Sequence, residues 1–138
     1  MAKPSQKPHP REARLRGLME YVGTMALAMG LRDWEFSVHE GTESDDAMAD
    51  CLVTQGTRHA SLGFSHAFFE LTPDLRRLYV CHELVHCHLS KMEDVVSDAI
   101  KPHVATPVLK SVMALHTDQN ELATDAISRA WAPRLPLP

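Results

Sequence analysis

A chain of 138 residues fits one domain and is long enough to bury a hydrophobic core without disulfide staples. A formal charge of −4 at neutral pH excludes a chain that is basic throughout, as a dedicated binder of nucleic acid or anionic membranes would be, although the first sixteen residues are locally basic. Cys51, Cys81 and Cys87 are too few, and odd in number, for a disulfide framework, which predicts free thiols in a reducing, cytoplasmic setting.

The opening "MAKPSQKPHP" is polar and proline-rich, and it reads as a disordered basic arm over residues 1–10, the one place where a nucleic acid could be held. Residues 11–138 read as a single domain. From Arg11 to Met29 the apolar residues Leu15, Leu18, Met19, Val22, Met25, Ala26 and Met29 recur at three- and four-residue intervals, and Gly30 follows as a stop. This is an amphipathic helix whose methionine stripe packs the core. Arg11, Arg14 and Arg16 ahead of "LMEYVGTMALAMG" have the outline of a secretory signal, but Glu20 interrupts the run and it is too short to span a bilayer.

In "DWEFSVH" Trp34, Phe36 and Val38 alternate with polar residues at the period of a half-buried strand. "EGTESDDAMAD" reads as a loop, and "CLVTQGTRHASLGF" as two short strands about a turn at Gly56. Together these predict a small antiparallel β-meander packed on a helical layer, an α+β fold. "TPDLRRLYVCHELVHCHLSKM" opens with Thr72 as cap, Pro73 in the first helical position and Asp74 in the first turn, and its helix is expected to run to about Ser90. "EDVVSDAIKPHVA" reads as a short helix and a connection broken at Pro102. Thr106 and Pro107 repeat the start signal for a last helix, through Trp131, that Pro133 ends.

The chemistry concentrates in "CHELVHCHLS". His82 and His86 are four apart on a predicted helix, so both imidazoles project from one face, where two neutral nitrogens can reach a single zinc ion at about 2.0–2.1 Å. Glu83 follows the first histidine and can reach a water on the metal without ligating the metal. With nine histidines in the chain this spacing arises by accident at roughly a few per cent, so the motif alone is weak. A second feature strengthens it. The only asparagine, Asn120, opens "NELATD", in which Glu121 and Asp125 stand at helical i and i+4.

With both motifs in view, the chain resembles the gluzincin zinc peptidases of the thermolysin type, in which a second helix carries an Asn-Glu-x-x-x-Asp pattern. The resemblance lies in these motifs, extends over roughly residues 33–131, and implies a minimal, zincin-like single domain. It implies His82, His86 and Glu121 as zinc ligands, Glu83 as general base, and Asp125 as a carboxylate hydrogen-bonded to His82. Two histidines and a carboxylate leave a fourth zinc position for water, as a catalytic site requires, and a carboxylate on a ligand histidine fixes its tautomer. The implied activity is zinc-dependent hydrolysis of peptide bonds in a peptide or protein substrate, with no membrane partner; nothing in the sequence marks an oligomeric state. "HASLGF" is the strand edge that could hold such a substrate by strand addition.

Other residues compete for roles. His103 lies seventeen residues after His86 and shortly before Pro107, close to where SprT-like, DNA-associated proteases place a third histidine ligand, though "KPHVATP" lacks the glycines that flank it there. The third ligand is therefore Glu121 or His103, and Glu121 is preferred because a rigid helix presents it together with Asp125. His103, His116 and Tyr79 are candidates for stabilising the oxyanion. A non-catalytic zinc-binding interaction module is the rival class. His88 reads as a surface or second-layer residue, Cys81 and Cys87 as small buried hydrophobes, and Arg76 and Arg77 as a solvated face. His9, His39, His59 and His66 lack a partner at ligand spacing and receive no role.

Overall fold

The structure is a computed structural model that describes residues 9–138. The predicted arm, residues 1–10, lies outside the described residues except for its last two. His9 caps the first helix, its Nδ1 accepting from the Arg11 backbone N–H at 3.3 Å, and Pro10 is the first helical residue.

Helix α1 spans Pro10–Ala28 and buries Leu18, Tyr21, Val22, Met25 and Ala26, with Met29 just beyond. Met19 is the one methionine of the expected stripe left outside, at 39% exposure. Gly30 adopts a φ of 81° and turns the chain toward the sheet, a conformation that side-chain-bearing residues rarely take.

Three strands follow: β1 Glu35–Glu40, β2 Ala49–Val53 and β3 His59–Phe64. Their order is β1-β3-β2, with β1 parallel to β3 and β2 antiparallel to it, so the sheet is mixed and the expected antiparallel meander is corrected. The β2–β3 hairpin forms as expected around Gly56, whose φ is 75°. What differs is β1. The connection between Glu40 and Ala49 is long enough to pass over the end of β3, and β3, with Ala60, Leu62 and Phe64 fully buried, takes the centre. "HASLGF" is therefore not an edge; β1 and β2 are. Gly63 allows the crossing, because a Cβ there would run into Asp50 Oδ1 and the Gly41 carbonyl. Asp50 fixes the arrangement by accepting from the backbone N–H groups of Gly63 and Glu43.

After a short 3-10 turn, His66–Glu70, helix α2 runs from Pro73 to Ile100 as one piece. Its start is as predicted: Thr72 accepts from the Leu75 N–H, Pro73 stands in the first turn and Asp74 follows. The expected stop near Ser90 does not occur, because neither proline nor glycine interrupts the sequence before Pro102. Helix α3, Thr106–Trp131, returns along α2. The fold is α+β: α1 packs on β1, α2 packs on β2 and on α1, and α3 packs along α2. Among the described residues, no helix is long and apolar enough to cross a membrane.

Candidate metal centre

Where α3 crosses α2 its buried residues are small, Thr124 and Ser128, and Ser128 meets the fully buried Cys81, whose Sγ lies 3.9 Å from the Ser128 carbonyl. Small residues let the two backbones approach closely. The i and i+4 pair on α2, His82 and His86, thereby faces the i and i+4 pair on α3, Glu121 and Asp125. His82 Nε2 and His86 Nε2 are 3.3 Å apart; Glu121 Oε2 is 3.4 Å from the first and Glu121 Oε1 3.4 Å from the second. A tetrahedral ion with bonds of 2.0–2.1 Å separates its ligands by about 3.3–3.4 Å. The three side chains thus form one face of such a tetrahedron, and among the described residues they are the one group of this kind able to hold a metal ion.

Behind the triangle, Asp125 Oδ1 lies 3.2 Å from His82 Nδ1. That contact favours the proton on Nδ1 and turns the Nε2 lone pair toward the triangle. Burial holds the His86 pKa below its usual value, against the opposing pull of Glu121, which keeps the ring in the neutral form that binds metals. The histidine side chains are about one-fifth exposed and that of Glu121 about half, so solvent reaches the triangle. On the Asp125 side of His82 a cleft of about 240 Å³ is lined by Leu78, Tyr79, His82, Asp125 and Arg129 among others.

Glu83 is buried, only 4% exposed. Burial pushes its carboxyl up to about 8, and the nearby carboxylates Glu121 and Asp50 add to the shift. The role of Asp50 follows from the strand order; sequence alone gave no reason to place it near α2.

The remaining expectations separate. Tyr79 lines the cleft with His82 and Asp125. His116 lies on the ridge of α3 that continues through Asn120, Thr124 and Ser128; it is half-buried, with Nδ1 buried and without a partner among the described residues, and Asn120 donates to Glu93 on α2 at 2.6 Å. His103 sits in the exposed turn beyond Ile100. Since α2 continues fourteen residues past His86, roughly 21 Å of helix separates that turn from the centre, and His103 is not brought to the two histidines. Cys81 and Cys87 are fully buried, and Cys87 Sγ lies 3.9 Å from Cys51 Sγ, with all three cysteines free. His88 is exposed at the surface, its Nε2 2.9 Å from the Met29 carbonyl. The solvated face expected at Arg76 and Arg77 is absent: Arg77 is 15% exposed, bonded to Asp74 and to the Leu135 carbonyl, and Arg76 is half-buried.

No family model, curated protein or solved structure matches this chain, so the case for the site rests on its own geometry and donor set.

Proposed function

We propose that the chain is a zinc-dependent metallopeptidase of minimal gluzincin type, with a zincin-like domain. The observation that carries this reading is the triangle of His82 Nε2, His86 Nε2 and Glu121 at tetrahedral ligand separations. In this reading those three residues hold zinc. The bound ion supplies Lewis acidity, which acidifies a water and polarises a carbonyl. Asp125 orients His82, and Glu83 does the proton work: its carboxylate takes a proton from the attacking water and delivers it to the leaving amine. Held by His82, His86 and Glu121, a dication would favour the ionised Glu83 carboxylate and oppose the upward shift caused by burial, toward the working range of a general base.

The substrate in this reading is a peptide or unfolded protein. With β3 central, the strand edge on the α2 side is β2, and that is where an extended peptide would add to the sheet in this reading. Three free cysteines fit a reducing, cytoplasmic location. The decisive experiment is Glu83→Gln assayed for zinc content and for chelator-sensitive cleavage of an unfolded protein. Zinc should be retained and turnover should fall by at least about two orders of magnitude. Loss of zinc along with activity would remove Glu83 from its role, and a zinc-loaded parent with no cleavage would return the chain to the class of interaction modules.

A further inference from the structure

A second cavity, of about 280 Å³, lies between α1, the 3-10 turn and the start of α2; Arg14, Gly17, Tyr21, Phe68, Phe69 and Arg76 are among the residues that line it. That volume is at the small end of ligand pockets, roughly 300–1,000 Å³. Arg76 precedes His82 by six residues, so the cavity lies about 9 Å along α2 from the metal centre. It is on the α1 side of α2, whereas the histidines face α3.

Two features mark it as more than a packing gap. The first is charge. Arg14 stacks its guanidinium 4.3 Å from the Phe69 ring centroid and bonds Glu40 at 3.2 Å, so its charge is partly answered. Arg76 makes no side-chain hydrogen bond or ion pair among the described residues, and the Nε of both arginines is buried without a partner. Buried guanidinium donors left unpaired are unfavourable, and a carboxylate is the group whose two oxygens match them. The second is shape. Gly17 stands inside α1, where glycine weakens a helix, yet a Cβ built on it meets no atom within 4 Å. The missing side chain leaves the cavity open over an aromatic floor.

We propose that this cavity binds a small amphipathic anion, its carboxylate on Arg76 and Arg14 and its apolar body against Phe68, Phe69 and Tyr21. Pro138 also lines the cavity, and it makes no ion pair with either arginine among the described residues. The proposal does not depend on the metal centre.

The test uses the full chain and two probes, phenylbutyrate and its uncharged amide, phenylbutyramide, followed by amide chemical shifts in NMR titrations. Phenylbutyrate should bind saturably and shift Gly17, Phe69 and Arg76. The amide should bind at least about tenfold more weakly, and Arg76→Gln should weaken phenylbutyrate by a similar factor. Gly17→Leu, which fills the space with a better helix former, should abolish binding with the melting temperature unchanged or raised. No saturable binding, equal affinity for acid and amide, full affinity in Arg76→Gln, or binding that persists in a folded Gly17→Leu would each overturn the proposal. Should Gly17→Leu fail to fold, the acid–amide pair and Arg76→Gln decide it.

Discussion

Replacing Asp125 by alanine probes the link between the two long helices at the point where it bears on the proposed zinc site. Its Oδ1 lies 3.2 Å from His82 Nδ1, and its side chain is 56% exposed. A carboxylate behind a ligand histidine is worth roughly tenfold to a hundredfold in affinity, or about 1.4–2.7 kcal/mol. Exposure screens the charge and moves the expectation to the lower end, about tenfold for Asp125→Ala. Asp125→Asn keeps an acceptor for Nδ1 and loses only the charge, so its loss should be smaller, on the order of twofold to fivefold. Alanine is also the better helix former, so neither variant should cost stability through the backbone of α3. The assay is zinc competition against a chromophoric chelator, with far-UV circular dichroism as the check on folding. An unchanged zinc affinity in Asp125→Ala would show that the contact does not orient His82. Complete loss of zinc would show that Asp125 is itself a ligand.

Three further outcomes are expected. Glu121→Ala should lose tight zinc binding after dialysis, while His103→Ala should keep it; the reverse pair of results would make His103 the third ligand. Gly63→Ala drives a Cβ into Asp50 and the Gly41 carbonyl, one of them rigid backbone, and should destabilise the fold by about 1–3 kcal/mol, read as a fall in Tm; an unchanged Tm would mean that β3 and the crossover are not packed so closely. Burial pushes the Tyr21 phenol up to about 12 from an ordinary value near 10, with its hydroxyl donating to the Pro136 carbonyl at 2.9 Å. A raised pKa contributes stability that is complete below about pH 10 and lost as pH climbs toward 12. Tyr21→Phe should therefore flatten the fall in stability between those values, and an unaltered slope would refute the assignment.

Local signals in the sequence carried well where the physics is local. The cap at Thr72 with Pro73 and Asp74, the stop at Gly30 and the Gly56 hairpin all form, since each depends on a few neighbouring residues. The continuation of α2 to Ile100 was also legible in principle, because no helix breaker stands before Pro102, and "EDVVSDAI", read as a separate short helix, is its last two turns. Strand order was not legible. Parallel pairing of β1 with β3 depends on a connection crossing the sheet end and on Gly63 admitting Asp50, and neither leaves a periodic trace.

The candidate centre divides the same way. The spacing of His82 and His86 fixes their common face, and that of Glu121 and Asp125 fixes theirs, so two helices that meet bring all four together. Asp50 beside Glu83 needed the tertiary structure, as did the sequestration of Arg76 and Arg77. Charged residues at the start of a helix look solvated until the segment around Leu135 and Pro136 folds back over them, bonding Arg77 and Tyr21.

The metal's own coordination sphere tests the central claim most directly. X-ray absorption at the zinc edge of the purified, zinc-loaded protein should show two imidazole nitrogens and oxygen donors at about 2.0–2.1 Å, with no sulfur. A scatterer at about 2.3 Å would bring Cys81 or Cys87 into the sphere, and a third imidazole would replace Glu121; either result would contradict the account.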